Sequence, residues 1–182
     1  MLFAVPLGAM LGWARGGSLE HLGSYPFRHP ALLVAAFAMQ ISLARLPQWG
    51  VAIPADIADG VHLSSYGLLL AVLALNLRAP GIPLVSVGTV ANLLVIALNG
   101  GMPVDIGTLN RLGYGASAEM LRSGGSTTHV ALDGTTRLPF LGDIILSPRW
   151  FPGAALLSPG DVLMMLGIVW VIAAGMKGSD SR

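Results

Sequence analysis

The 182-residue chain is long enough for one domain, is 54% hydrophobic and carries charged side chains at only 10% of its positions. A soluble domain is charged at roughly a quarter of its positions, so this composition predicts an exterior that faces lipid. The net charge of +1 argues against nucleic acid as a partner, and the absence of cysteine excludes disulfides, thiolate metal sites and cysteine nucleophiles.

Five apolar segments predict membrane helices. In chain order they are Leu2–Ala14, Pro30–Ala44, His62–Leu77, Ile82–Gly101 and Asp161–Met176. The first is short for a span of roughly 20 residues. It is interpreted as a helix because it lacks the basic region and small-residue cleavage site of a removed signal peptide. The tight connector Arg78–Gly81 predicts an antiparallel hairpin of the third and fourth segments. The expected fold is an all-α membrane protein with about five transmembrane helices, in a single membrane domain over residues 1–182.

The distribution of basic residues predicts how these helices are oriented. Cytoplasmic loops of membrane proteins are rich in Lys and Arg. If the N-terminus lies outside, the short outer loop carries only Arg45, and the cytoplasmic side receives Arg15, Arg28, Arg78, Lys177 and Arg182. We therefore expect a multi-pass protein of the cell membrane, with its N-terminus outside, its C-terminus in the cytoplasm and the lipid bilayer as its first partner.

A polar, glycine-rich stretch separates the last two apolar segments. In the predicted orientation, residues 102–159 form a folded extracytoplasmic segment within the membrane domain. A short helix is expected around Ser117–Arg122. The pair Asp133-Gly134 is a turn signal, so a hairpin or re-entrant piece lying on the helices is expected.

The last apolar segment opens with an acidic residue. In the stretch "SPGD", Ser158 stands at the N-cap position, Pro159 at the first helical position and Asp161 at the third. This order is typical of a capping box, in which proline replaces an N–H that has no partner and the acid faces the positive end of the helix dipole. A structural role therefore accounts for Asp161 without any catalytic one.

A second carboxylate, Asp143, precedes Asp161 between two apolar runs. Both acids are expected at the outer membrane face, and two converging carboxylates share a proton and activate water in aspartic proteases. Alternatively, Asp143 caps a turn or pairs with Arg137 or Arg149. This pattern of two acids is also weakly similar to that of lipoprotein signal peptidases, which use two aspartates. The chain lacks their Asn-x-x-Asp-Arg stretch and has five expected spans instead of four.

Several polar side chains are candidates for ligand binding. Amide side chains inside apolar helices need partners, either between helices or in a ligand pocket. Three asparagines, Asn76, Asn92 and Asn99, lie in the apolar segments, and Gln40 lies in the second segment. Asn99 also precedes a Gly-Gly pair that suits a helix C-cap. The candidate ligand-binding residues are Asn76, Asn92, Asn99 and His129. The four histidines lack metal-ligand spacing, so no metal and no cofactor are expected.

Three motifs in order link the chain to a family. "NGGMPV" (Asn99–Val104), "TRLPFLGDIILSP" (Thr136–Pro148) and "SPGDVLMMLGI" (Ser158–Ile168), together with the early "RGG" at Arg15–Gly17, resemble bacterial integral membrane proteins of the domain-of-unknown-function family 5317. The resemblance covers nearly the whole chain. It implies a small multi-span membrane protein and no established activity.

Three functions are open at this point. The first, which we favour, is a polytopic membrane protein that acts as a structural or accessory subunit, or as a small binding module, assembled with other membrane subunits. The second is an intramembrane aspartyl-type hydrolase that uses Asp143 and Asp161, and it requires their carboxylates within about a water's reach. The third is a carrier for a small solute or lipid, and it requires Asn76, Asn92 and Gln40 in one cavity.

Overall fold

The part of the chain that the structure describes is predominantly helical and contains four very short strands. The computed structural model describes residues 3–147 and 156–177. The described helices are α1 (Ala4–Ala14), α2 (Leu19–Gly23), α3 (Pro30–Arg45), α4 (Ala55–Leu75), α5 (Ile82–Asn99), α6 (Ile106–Arg111), α7 (Gly115–Arg122) and α8 (Pro159–Met176). The described strands are β1 (Met102–Val104), β2 (His129–Ala131), β3 (Ile145–Leu146) and β4 (Leu156–Leu157).

Three of the helices are long and apolar enough to cross a membrane. They occupy Asp56–Leu75, Ile82–Asn99 and Pro159–Met176. The helices α1 and α3 are also apolar but have 11 and 16 residues. At about 1.5 Å per residue, α1 reaches roughly half of a 30 Å hydrocarbon layer. Three of the five predicted spans therefore have the length of a full span.

Local chemistry explains where the apolar helices begin and end. Pro30 occupies the first turn of α3, as the sequence predicts. Gly100 adopts the left-handed conformation that ends α5, with φ of 72°. The helix α4 begins seven residues before the predicted His62. Its first turns are polar, with Asp56 near the positive end of the dipole, so hydropathy alone assigned them to a loop.

The five apolar helices alternate in direction. The side chain of Asn76, just after α4, bonds to the backbone of Arg28, just before α3. At the opposite end, Thr127 donates to the carbonyl of Leu43 near the end of α3. We call the end that holds residues 102–147 and 156–157 the segment end. The other end, which holds Arg28 and the α4–α5 connector, is called the connector end. The helix α1 runs parallel to α8, which places the start of α1 towards the segment end.

Glycines bring α5 and α8 into close contact. A Cβ atom at Gly88 would lie 2.8 Å from Met164 Cγ and would also collide with the carbonyl of Gly160. Small residues at such positions let the backbones of two membrane helices approach closely. Beside this contact, apolar side chains from α3, α4, α5 and α8 form the main core, which contains Ala36, Leu69, Leu73, Ile82, Val85 and Met164.

The polar segment contains the strands and refines the all-α prediction. The strands β1 and β2 pair in parallel, while β3 and β4 pair antiparallel. The chain turns at Asp133-Gly134 as expected, but β2 pairs with β1 instead of forming a hairpin across that turn. Since β1 directly follows α5, parallel pairing lets the segment fold back over the helices. The short helix predicted around Ser117–Arg122 is confirmed as part of α7.

Candidate functional site

A polar cavity lies at the segment end, between the helices and the folded segment. Its volume is about 200 Å³. It is lined by side chains from α3, α4, α5 and α8 and from the segment: Gln40, Ala44, His62, Tyr66, Asn92, Ile96, Met102, Thr128, His129, Asp143 and Asp161. Drug-sized ligands occupy pockets of roughly 300 to 1,000 Å³, so this cavity suits a smaller solute.

The start of α8 supplies one wall of the cavity. Ser158 and Asp161 form the predicted capping box: the Ser158 hydroxyl accepts from the Asp161 N–H at 2.9 Å, and Asp161 Oδ2 accepts from the Ser158 N–H at 3.2 Å. Asn92 of α5 ties this cap to the neighbouring helix. Its Nδ2 donates to Asp161 Oδ1 at 3.0 Å, and its Oδ1 accepts from the Ser158 hydroxyl at 2.9 Å. Asp161 is therefore held by structural bonds while it also lines the cavity.

The backbone of Asp143 is fixed beside β1. Its N–H donates to the Pro103 carbonyl at 2.7 Å, and its carbonyl accepts from the Asp105 N–H at 3.2 Å. Gly142 makes this close approach possible, because a Cβ atom there would lie 2.6 Å from the Pro103 oxygen. The Asp143 side chain is thereby directed into the cavity that Asp161 also lines. The two carboxylates predicted as candidates thus share one cavity.

The Asp143 carboxylate is incompletely paired. Its Oδ2 lies 3.8 Å from His129 Nε2. Its Oδ1 is buried and has no hydrogen-bond partner among the residues described. The ion pair with Arg137 that the sequence allowed is not found in this part of the chain, and Arg149 lies outside the described residues. A buried acceptor without a donor costs roughly 1 to 3 kcal/mol, so a donor entering the cavity would be stabilised there.

Burial and the nearby Asp161 charge raise the pKa of Asp143 to about 7 from an ordinary value of 3.8. Since the pKa is higher in the folded protein than in the unfolded chain, ionising Asp143 costs folding free energy. That cost is absent below about pH 4, grows as the pH rises to about 7 and is constant above it. At neutral pH the cavity therefore contains a carboxylate poised between its two protonation states.

His129 faces Asp143 from β2. Its Nδ1 lies 2.7 Å from the Thr128 hydroxyl, which orients the ring. The side chain is 44% exposed, and it lines the cavity. Desolvation of the imidazole ring by the surrounding protein lowers the pKa of His129, and the positive charge of a protonated His62 acts in the same direction. The histidine is thus disposed to be neutral, and a neutral imidazole can donate one hydrogen bond and accept another.

His62 and Tyr66 are cavity residues to which the sequence analysis gave no site role. They stand four positions apart on α4, and their ring centroids are 5.5 Å apart. Both are buried, and Ser65 links their helix to Gln40 of α3 through a 3.2 Å hydrogen bond. Spacing of four residues places side chains on one helix face, and this signal could have grouped the two residues.

The predicted ligand-binding residues are divided between two ends of the molecule. Asn92 and His129 line the cavity, as does Gln40. Asn99 instead bonds to the Arg137 backbone at 2.8 and 2.9 Å, which fastens the segment to the end of α5. Asn76 lies at the connector end. The arrangement required for a carrier, with Asn76, Asn92 and Gln40 in one cavity, is therefore absent.

Among residues 3–147 and 156–177, no group of three or more His, Cys, Asp or Glu side chains is placed to hold a metal ion. The side chains of the cavity are instead suited to hydrogen bonding and proton exchange. Two carboxylates and two imidazoles can accept hydrogen bonds from a donor-rich solute, and the Tyr66 hydroxyl and Gln40 amide add neutral polar contacts.

Comparison with known proteins identifies the family. No curated protein and no solved structure matches the chain. A family model described as "Family of unknown function (DUF5317)" matches residues 24–173 and so covers α3 to α7 and most of α8, including the described residues that line the cavity. The resemblance carried by the three sequence motifs is thereby confirmed, and the chain belongs to the DUF5317 family of unknown function.

Proposed function

We propose that this protein is a multi-pass membrane protein and a small binding module, which takes up a small organic cation in the cavity at its segment end. Amines and guanidinium groups are the intended class, because they combine positive charge with several N–H donors. The observation that carries the proposal is the buried Asp143 Oδ1, which has no donor among the described residues and lies in a cavity that a second carboxylate also lines.

The distribution of charge supports the membrane placement and its orientation. Among the described residues, the connector end holds one carboxylate, Glu20, and four cations: Arg15, Arg28, Arg78 and Lys177. The segment end holds seven carboxylates and four arginines. By the positive-inside rule, the connector end lies in the cytoplasm and the segment outside. The start of α1 then faces outward and the end of α8 inward. In this proposal the shorter helices α1 and α3 complete the five membrane segments.

The composition of the cavity supports a cationic ligand. Among the residues that the structure describes, two carboxylates line it and no Lys or Arg does. A cation entering it would favour the ionised form of Asp143, which burial and Asp161 otherwise disfavour. Binding would therefore both satisfy Oδ1 and remove the cost of ionising the acid. The small volume limits the ligand to a few non-hydrogen atoms beyond its charged group.

Thermal unfolding in detergent at pH 7.5 tests this proposal. The probes are methylammonium and guanidinium chlorides, with sodium chloride at equal ionic strength as the reference. At a concentration ten times the Kd, a ligand stabilises by about 1.4 kcal/mol, which corresponds to a rise in Tm of roughly 3 to 6 °C. Asp143→Asn should abolish the rise. Glu119→Gln removes one exposed carboxylate of α7 that does not line the cavity, and this variant should keep the rise in Tm. Equal rises in wild type and Asp143→Asn would refute the cation site.

An aspartyl-type hydrolase is the second candidate, because Asp143 and Asp161 line one cavity and the pKa of Asp143 is raised. In such an enzyme one carboxyl is protonated while the other activates water. Its test is cleavage of membrane-segment peptides in ¹⁸O-labelled water, read by mass spectrometry. Incorporation of label that is lost in both Asp143→Asn and Asp161→Asn supports hydrolysis. Cleavage that persists in these variants removes the candidate.

A further inference from the structure

A second recess lies at the connector end, far along the helices from the acidic cavity. Its volume is about 650 Å³. Two arginines line it, Arg28 from the approach to α3 and Arg78 from the α4–α5 connector, together with Tyr25, Leu75 at the end of α4 and Leu77 just after it. The recess therefore combines two cations from separate parts of the chain, and the proposed function does not use it.

Both arginines extend from fixed backbone. The Asn76 side chain accepts from the Arg28 N–H at 2.8 Å and donates to the Arg28 carbonyl at 3.0 Å. Arg78 belongs to a connector whose last residue, Gly81, packs against α8. A Cβ atom at Gly81 would lie 2.9 Å from the Val171 nitrogen and 3.1 Å from Trp170 Cβ. These contacts set the distance between the two segments that carry the arginines.

Neither guanidinium group has an acidic partner within residues 3–147 and 156–177. In that part of the chain, Arg122 pairs with Glu119, and His129 lies 3.8 Å from Asp143. Arg28 and Arg78 are exposed and belong to neither contact. Two unpaired guanidinium groups in one recess favour an anion, and their planar arrays of donors suit phosphate oxygens in particular.

An apolar strip adjoins these cations. Leu75 and Leu77 are 46% and 48% exposed, and both line the recess with Ala74. A free inorganic anion would make no favourable contact with these apolar side chains. A phospholipid has an anionic headgroup for the arginines and acyl chains for the leucines. Basic recesses at the cytoplasmic ends of membrane helices bind such headgroups.

We propose that Arg28 and Arg78 hold the phosphate of an anionic phospholipid in the recess at the connector end, with its acyl chains along the exposed Leu75 and Leu77. The site needs a bilayer around the helices but does not depend on the acidic cavity or its ligand. Variants of Asp143 should therefore leave it unchanged, which keeps its test separate from that of the cation site.

Quenching of Trp170 fluorescence tests the lipid site. Trp170 is 52% exposed, and its Cβ would lie 3.1 Å from a Cβ atom at Gly81, the last residue of the connector that carries Arg78, so its fluorescence reports on lipid beside that connector. The other tryptophans, Trp13, Trp49 and Trp150, are replaced by Phe. The protein is placed in vesicles of phosphatidylcholine and phosphatidylglycerol, with bromine on the chains of one lipid at a time. We expect brominated phosphatidylglycerol to quench more strongly at equal fraction in the bilayer.

The variant Arg28→Ala with Arg78→Ala should lose this preference. One arginine near an anionic surface changes affinity about fivefold, so the pair should change it roughly thirtyfold. Arg111→Ala with Arg122→Ala removes the same charge from the segment end and should keep the preference. Retention by the first variant, or equal loss by both, would overturn the site.

Two further measurements secure the assignment. Native mass spectrometry of the protein with all its tryptophans should show phosphatidylglycerol bound and no phosphatidylcholine bound. The bound phosphatidylglycerol should be lost when Arg28 and Arg78 are substituted. This measurement does not depend on the tryptophan replacements. Inorganic phosphate at millimolar concentration should leave the quenching preference unchanged. If it abolishes the preference, the recess is a site for free phosphate and the lipid assignment is wrong.

Discussion

The substitution Gly160→Ala probes the contact on which the acidic cavity depends. Gly160 is buried in the first turn of α8, where Asn92 of α5 reaches the cap. A Cβ atom there would collide with Asn92 Oδ1 and would lie 2.7 Å from both Asn92 Cγ and the Gly88 carbonyl oxygen. Gly160 does not have a positive φ, so alanine introduces a collision without backbone strain.

The size of the effect follows from these contacts. Overpacking by one carbon costs about 1 to 3 kcal/mol where backbone cannot move away. Displacing Asn92 also weakens its bonds to Ser158 and Asp161, each worth about 0.6 kcal/mol in a membrane helix pair. The expected loss is therefore about 2 to 4 kcal/mol, or a fall in Tm of roughly 4 to 16 °C for a chain of this length.

Gly67→Ala is the matched control. Gly67 lies within α4, and a Cβ atom there would meet nothing within 4 Å. Alanine is preferred over glycine by about 1 kcal/mol in a helix interior, so this variant should be neutral or slightly stabilised. Unfolding is followed by tryptophan fluorescence in detergent for both variants. A Gly160→Ala protein as stable as Gly67→Ala would refute the close contact between α5 and α8.

Three further predictions concern the acids and the amide clamp. Asp143→Asn should leave Tm unchanged near pH 4 and raise it at pH 8, where it removes an ionisation cost of up to about 4 kcal/mol; a pH-independent change would contradict the raised pKa. Ser158→Ala with Asp161→Ala should cost about 1 to 3 kcal/mol, and an unchanged Tm would exclude the capping box as a stabilising element. Asn76→Leu should weaken the phosphatidylglycerol preference of Trp170 quenching while every charge remains, because Arg28 is released; an unaltered preference would show that the clamp is not needed.

The helical part of the fold could be predicted because lipid imposes strong rules on sequence. Apolar runs and the glycine after α5 determine structure through neighbouring residues only. The structure has a helix at each predicted apolar segment, and Gly100 ends α5 as expected. The start of α4 was misplaced because its first turns are polar. A polar first turn is stable when the dipole favours an acid such as Asp56, and a hydropathy pattern contains no information about that favourable contact.

The folded segment could be predicted only in its local parts. The helix predicted around Ser117–Arg122 depends on residues close in sequence, and the structure contains it as part of α7. The pairing of β1 with β2 joins residues 27 positions apart in register, Met102 with His129, and no local pattern specifies it. Parallel strands need a long connection, whereas the turn signal at Asp133-Gly134 favoured a hairpin. Long-range pairing therefore determined the position of His129, and with it the composition of the cavity.

The structural and functional interpretations of Asp161 were posed as alternatives, and the fold makes them compatible. A capping box uses one carboxylate oxygen for the Ser158 N–H, and Asn92 engages the other, yet the side chain still lines the cavity. The bonds that fix the helix start also fix this charge. Asp143 has the opposite character, because its backbone is held on both sides while its Oδ1 has no partner among the described residues. A carboxylate fixed by hydrogen bonds beside an acid with an unsatisfied oxygen is an arrangement that helix capping alone does not require. Asp143 is therefore the residue whose substitution tests the proposed cation site, and Asp161 is the fixed neighbour that helps to raise the pKa of Asp143.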